Sequence, residues 1–515
     1  MKYKNAIKNP IIRGTLILTL TGAITRLLGF YYRVFLSDLI GAKELGIYQL
    51  VFPVYVLAIS FCCQGIQTAL TKCISTLLAS ENHKKMKLCF LITLIISLLL
   101  SIMTCAGIYL YADFLSVHFV RNHDTAACIQ IVSLGLPFVA IKCCIHGYCL
   151  GLKHSKIIAL SQLIEQIFRI GGTYALAITL TDNMPKGAAL AAAGIVCGEI
   201  CSCIYSVGSI LKHFKGAGSY YRQTCIAHPD QEKNVILTLY KDSLLLTGNR
   251  VCMTLLASFE AVLIPSMLTL YNGNSDYSLE LFGVLMGMAL PFIMLPSTLT
   301  NSLSSMLLPA VSESKAGNQN AKLSVMMQTS MRFCLLLGIF SSILFMIYGK
   351  DLGVAVFSNR SAGTFIFMMS PLCPFIYIST TLSAILNGLN KTGINLIYHL
   401  LAVTIRICFI LFIVPTCGMK GYLWGLLASY LILTLLLIST IRIDISFSLD
   451  YNKCILIPAI LATITGALLY LAYNYICSLC IAPKLLWLFC ILTVYACIYF
   501  PICLYNNKIV IGQIR

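Results

Sequence analysis

Residues 137–170 read PFVAIKCCIHGYCLGLKHSKIIALSQLIEQIFRI, and residues 374–407 read PFIYISTTLSAILNGLNKTGINLIYHLLAVTIRI. At a constant offset of 237 the two stretches share nine identities in 34 positions, including Pro137/Pro374, Ile141/Ile378, Gly151/Gly388, Leu163/Leu400 and Arg169/Arg406. Each copy joins two apolar windows through a short polar break, and Lys186-Gly187 and Lys420-Gly421 then open the next window of each copy. A helix needs ~20 apolar residues to cross a bilayer, so each copy covers parts of two successive spans. The offset equals six spans plus a linker. Orientation is therefore preserved, which predicts two lobes related by an axis along the membrane normal.

Composition fits this reading across the chain. Of 515 residues, 59% are hydrophobic and only 10% charged, with a mean hydropathy of +0.88. A soluble chain carries about a quarter charged residues. A cytosolic enzyme, a secreted domain and a disordered protein are all excluded. Fourteen apolar windows run from 12–36 and 46–79 to 454–476 and 484–506, and one long polar connection, Lys212 to Ile236, divides them after the sixth. The expected architecture is an all-α polytopic membrane protein of about 14 helices. Residues 1–212 form an N-lobe, 213–236 a cytoplasmic linker, 237–442 a C-lobe, and 443–515 two further helices with a tail. The basic start (Lys2, Lys4, Lys8, Arg13) resembles a signal peptide, but no small-residue cleavage site follows it, so it is expected to be retained.

Net charge is +18. With an even number of crossings, Lys and Arg outnumber Asp and Glu threefold on one side only, which predicts both termini in the cytoplasm. The 24 cysteines mostly lie inside apolar windows, as Cys62-Cys63, Cys143-Cys144 and Cys201/Cys203 do, and read as small buried hydrophobes. Cys477 and Cys480 form a lone Cys-x-x-Cys without histidine partners, and it too reads as structural.

Eight basic and three acidic residues fall inside spans. Each costs ~2.5–3.5 kcal/mol at the bilayer centre unless it faces protein or water. Arg26, Arg169 and Arg406 lie about 12 to 14 residues past their entry points, roughly 20 Å deep at the helical rise, and Glu199 is as deep. Lys72, Lys142, Arg250 and Arg33 sit nearer a surface, where anchoring and function are equally good readings. Arg26 and Arg33 share a helix face two turns apart. Glu165 and Arg169 are spaced to pair at i, i+4, either as a structural pair or to aim the guanidinium at an anion. Lys142 and His146 share that spacing; a hydrogen-bonded packing role for His146 is the expectation.

A surplus of five positive charges in spans, concentrated in the first six, calls for cargo that supplies negative charge. Phosphate or diphosphate fits, because guanidinium binds it bidentately. A cation pump would instead carry unpaired acids, for which only Glu199 and Glu260 are candidates. There is no G-x-x-x-x-G-K-[ST], no H-E-x-x-H and no G-x-S-x-G, and the histidines do not cluster with acids at metal-ligand spacing. Transport, not catalysis, is the expectation, with no metal, no cofactor and no nucleic acid.

The run Thr25-Arg26-Leu27-Leu28-Gly29-Phe30-Tyr31-Tyr32-Arg33, then Leu39 through Leu50, and Glu165-Gln166-Ile167-Phe168-Arg169-Ile170, resemble the stage V sporulation protein B family. That family belongs to the MOP superfamily, with the lipid II flippases, polysaccharide flippases and MATE exporters. The resemblance covers most of the chain. It implies two pseudo-symmetric six-helix lobes, alternating access around a cationic cavity, and a groove from the last two helices for a polyprenyl tail. It also implies that Arg26 stands where the lipid II flippases carry an essential arginine. Their second arginine falls one residue short of Arg33, and the aspartate after it is missing here.

The resulting expectation is a flippase for a polyprenyl-diphosphate-linked saccharide in a bacterial cytoplasmic membrane. Arg26, Arg33, Lys72, Lys142, Arg169 and Arg406 would bind the anion, with Glu165, Glu199 and Glu260 as supporting ion pairs or coupling groups. Na⁺, H⁺ or the membrane potential would drive it. Cell-wall polymerases and membrane lipids would be partners of a monomer. The alternative is a MATE-like exporter of small organic compounds coupled to Na⁺ or H⁺.

Overall fold

The computed structural model describes residues 10–79, 83–152, 154–179, 187–217, 230–317, 319–445, 447, 451–479 and 484–507. Cys480 and most of the linker, 218–229, lie outside the described residues, as does the side chain of Cys477. The described backbone is helical, with no strand among it. Among the described residues ten helices, or eleven counting the bent pair His123–Ser133 and Leu136–Gly151, are long and apolar enough to cross a membrane. One of these, Ile17–Ser75, has 59 residues. At the helical rise it would run roughly 90 Å, about three times the hydrocarbon thickness, so it holds two of the windows read from the sequence. Gly41, at φ 77°, breaks it between them; a residue with a Cβ would be strained there.

The chain forms two compact units, Met1–Val262 and Leu263–Arg515. The first contains α1 (Pro10–Ile59), α2 (Gly65–Ala79), α3 (His83–Leu110), α4 (Ala126–Ser133), α5 (Leu136–Gly151), α6 (Ser155–Thr179), α7 (Gly187–Ala217) and most of α8 (Asp230–Asn272). The unit boundary falls inside α8, whereas the lobe boundary read from the sequence falls before it. A stripe on α8 accounts for the difference. Arg250, Thr254 and Ser258, four residues apart, bond Gln64, Ser60 and the Pro53 carbonyl in turn. In an apolar surrounding such polar contacts hold one helix to another. The middle of α8 is thus fastened to the first unit.

Within the first unit α6 and α7 approach closely because α7 is built on small residues. A Cβ at Gly198 would stand 2.7 Å from the Glu165 carbonyl, and one at Gly194 would collide with the Thr173 hydroxyl. This is the small-xxx-small pattern of membrane helix pairs. The core beside them packs Leu70, Ile74, Phe90, Ile145 and Tyr148.

The second unit follows with α9 (Ser275–Gly283), α10 (Leu290–Ile293), α11 (Ser297–Ala316), α12 (Asn320–Phe357), α13 (Arg360–Met369), α14 (Cys373–Gly388), α15 (Thr392–Phe412), α16 (Met419–Asp444), α17 (Ile457–Leu479) and α18 (Lys484–Asn507). Buried tyrosines tie the last two helices into it. Tyr495 donates to the Ala462 carbonyl, Tyr499 to Leu336 and Tyr348 to Gly466. The outward side of α17 presents Ile460, Ile464, Leu468, Leu471 and Tyr475 as one exposed apolar stripe.

The duplication is visible as packing. Gly151 lies against Ile74 and the Thr71 carbonyl, and Gly388 against Val311 and the Leu308 carbonyl. All three correspondences keep the offset of 237. The described cysteines carry no disulfide; Cys62, Cys63, Cys144 and Cys203 are buried, and Cys143 and Cys201 are partly so.

Candidate functional site

The first unit brings four ionised side chains from three helices together inside the membrane. Lys142 on α5 points its ammonium between two carboxylates, at 2.9 Å from Glu165 Oε2 on α6 and in direct contact with Glu199 Oε2 on α7. Glu165 uses its other oxygen to accept from Arg169 Nη2 at 2.6 Å, one helical turn along α6. Tyr55 on α1 donates to Glu199 Oε1 at 3.5 Å. The formal charges of the four cancel. An isolated charge at such depth costs several kcal/mol, and breaking a buried pair leaves one. The cluster therefore holds α5, α6 and α7 together as a unit.

Arg169 and Glu165 are the less buried members, at 17% and 15% exposed against 8% for Lys142. The Arg169 Nε has no hydrogen-bond partner among the described residues. One guanidinium edge is thus committed to Glu165, and the buried Nε is an unspent donor. The neighbouring Gln166 also has an unpartnered buried oxygen.

Alongside α6 runs the arginine-bearing part of α1. Tyr32 and Thr173 share a hydrogen bond of 3.0 Å, and Thr173 in turn donates to the Arg169 carbonyl. Gly29 faces Gln166 closely enough that a Cβ would touch its oxygen. These contacts lay the stretch of α1 that carries Arg26 (exposed) and Arg33 (partly buried) along α6, with Arg33 in electrostatic range of Arg169 and Tyr48. Neither Arg26 nor Arg33 has an ion-pair partner among the described residues. Arg33 and Arg169, on adjoining helices, are thus two cations in range of each other beside the neutral four-charge cluster, and Arg26 stands two turns before Arg33 on α1.

The remaining candidates lie elsewhere. Lys72 is exposed on α2, where it lines a separate cleft with Arg250. Arg406 belongs to the second unit and lies over the Tyr430 ring, 5.9 Å from its centroid. Glu260 is buried on α8. His146 is buried with an unpartnered Nε2. No group of three or more His, Cys, Asp or Glu side chains suited to a metal occurs among the described residues.

Two contributors were missed from the sequence. Tyr55 meets Glu199 across 144 residues of chain, and nothing local announces that. Glu44 accepts from the Ala188 N–H and so caps α7, again 144 residues away. The polar face of α2 was legible. Gln64, Gln67, Thr68, Thr71 and Lys72 stand at i, i+3, i+4, i+7 and i+8 of one helix face.

Residues 11–315 match the family model described as "Polysaccharide biosynthesis protein". The chain is 27% identical over 463 residues to Stage V sporulation protein B of Bacillus subtilis (strain 168), covering 87% of this chain and 86% of that one. Among solved structures it resembles the lipid II flippase MurJ in an inward closed conformation. That likeness has a TM-score of 0.66 at 14% identity, over 94% of this chain and 99% of that one. It also resembles an inward-facing multidrug resistance MATE family transporter of the MOP superfamily, with a TM-score of 0.63 at 13% identity, over 82% and 98%. The resemblance read from Arg26 through Leu50 and from Glu165 through Ile170 is thereby met, and the fold is that of this superfamily.

Proposed function

We propose, from the premise that the chain belongs to the polysaccharide biosynthesis protein family, that it flips a polyprenyl-diphosphate-linked saccharide across the membrane by alternating access. The observation that carries this reading is the set of arginines on two adjoining helices, Arg26 and Arg33 on α1 and Arg169 on α6, of which only Arg169 has a carboxylate partner among the described residues. A diphosphate offers several oxygens over which guanidinium groups can fork. Arg26 and Arg33 are its first ligands. Arg169 adds its charge while Glu165 keeps hold of it, so no full positive charge is stranded there when the headgroup leaves. Lys142 neutralises Glu165 and Glu199 from behind and positions Arg169 instead of touching cargo. Release on the far side requires the two units to rock, and moving one charge through the membrane potential is worth ~2.3 kcal/mol per 100 mV. Both termini lie on the cytoplasmic side in this account.

Reconstitution tests it. Protein in liposomes should make a fluorescent polyprenyl-diphosphate saccharide in the inner leaflet accessible to an external reagent. An Arg26→Ala protein that inserts and melts like the wild type should slow this at least tenfold. Unchanged transfer by that variant removes the proposal. The exporter reading takes its place if Glu199→Gln then abolishes counter-ion-driven efflux of a cationic dye.

A further inference from the structure

The second unit holds an apolar groove with a lysine at one end. One wall is a break in a span. Residues 360–388 form a single apolar stretch of 29 residues, α13 and α14, interrupted by a 3₁₀ turn at Ser370–Leu372. Pro371 has no N–H to give the Phe367 carbonyl one turn earlier. The Ser370 hydroxyl donates to that carbonyl at 2.8 Å, so the break leaves it satisfied. The facing wall is α16. Tight packing behind each wall keeps the two apart. A Cβ at Gly353 of α12 would collide with the Gly363 backbone of α13, and one at Gly425 of α16 would stand 2.6 Å from the Phe409 Cβ of α15. Each wall thus leans on a different neighbour, and a cavity of about 370 Å³ stays open between them.

Along α16 the groove is lined by Lys420, Leu423, Trp424 and Leu427, which share one helix face at i, i+3, i+4 and i+7. They run about 10 Å at the helical rise, from a cation at the start of a span into apolar surroundings. Lys420 is exposed, is the one charged side chain of the lining, and has no hydrogen-bond or ion-pair partner among the described residues. A second cation stands beside it. Lys350 of α12 lies 5.2 Å from the centroid of the Phe367 ring, which lines the groove, while the adjacent Asp351 faces Tyr470 on α17. Trp424 is 65% exposed, and tryptophan favours the headgroup level of a bilayer. We infer that this groove seats one acyl chain of an anionic glycerophospholipid, with the headgroup phosphate on Lys420. The charge complementarity selects the anionic lipid, because a zwitterionic one brings its own cation to Lys420. The length selects an acyl chain, because 10 Å lies within the ~15 Å of hydrocarbon in one leaflet. A polyprenyl tail is several times longer than the groove and would leave most of itself outside. The site is independent of the function proposed above.

The chain has two tryptophans, Trp424 in the groove and Trp487 outside it, so a full-length Trp487→Phe protein reports on the groove by fluorescence. In phosphatidylcholine liposomes its Trp424 emission should be quenched by phosphatidylglycerol with brominated acyl chains. The apparent affinity should be about fivefold higher than for brominated phosphatidylcholine, the preference that one lysine at an anionic surface gives. That comparison needs no substitution in the groove. Lys420→Gln should bring the preference close to one, Lys420→Arg should keep it, and Lys350→Gln should lower it by less than Lys420→Gln does. Unfolding midpoints equal to that of the starting protein show that these exposed-site variants are folded. Equal quenching by the two brominated lipids overturns the inference, and so does a preference that survives Lys420→Gln in a folded protein. Competition tests the occupant. Unlabelled phosphatidylglycerol should relieve the quenching. If polyprenyl diphosphate relieves it at a mole fraction where phosphatidylglycerol does not, the groove belongs to the cargo's tail and the phospholipid assignment falls.

Discussion

Arg169 and Arg406 occupy equivalent places in two copies of one repeat, and their surroundings have diverged. In the first unit Arg169 is joined to Glu165, which Lys142 links to Glu199. The equivalent positions in the second unit are Ala402 for Glu165 and Ser379 for Lys142. At the offset of 234 set by Lys186/Lys420, Leu433 stands for Glu199. Leu433 is buried in an apolar core with Leu382 and Leu437, and Arg406 lies over Tyr430. The packing glycines, by contrast, are kept, with the same wall in front of each. Duplication has preserved how the helices fit and changed what they carry. The first unit has become the charged one.

That contrast can be broken most severely at Glu165. Glu165→Ala gives the first unit the residue of the second while leaving Lys142 and Arg169 to share one carboxylate. The expected loss is about 3–5 kcal/mol, the cost of stranding a buried charge, read as a lowered unfolding midpoint in detergent. Transplanting the whole set, Lys142→Ser with Glu165→Ala and Glu199→Leu, still leaves Arg169 without a carboxylate, so the midpoint should stay low. Recovery to the wild-type midpoint would mean that Arg169 needs no carboxylate in this frame.

The conserved part of the comparison predicts equality. Gly151→Ala would set a Cβ 2.7 Å from Ile74, and Gly388→Ala one 2.9 Å from the Leu308 carbonyl. Overpacking of this kind costs about 1–3 kcal/mol, and the two variants should agree within about 1 kcal/mol in the same unfolding assay. The smallest effect is expected at Tyr430→Leu. It removes the ring beneath Arg406 and should cost about 0.5–1 kcal/mol, with no counterpart in the first unit.

Much of this was written in the sequence because membranes make hydropathy and charge unusually informative. The helices, the duplication through Gly151/Gly388 and Arg169/Arg406, and the Glu165–Arg169 pair follow from period, offset and spacing. So does the polar face from Gln64 to Lys72. The closing of the charge cluster was not legible. Lys142, Glu165 and Glu199 come from three helices, and only packing through Gly194 and Gly198 brings α7 near enough for Glu199 to reach Lys142. The unit boundary inside α8 was hidden for a related reason. It is decided by the bonds of Arg250, Thr254 and Ser258 to α1 and the π turn, and hydropathy registers no such bonds.

The most direct measurement is the affinity of the purified protein for a polyprenyl-diphosphate-linked saccharide, read by native mass spectrometry from detergent micelles. The account predicts that Arg26→Ala/Arg33→Ala weakens this binding at least tenfold while the unfolding midpoint holds. Wild-type affinity in that folded variant would contradict it.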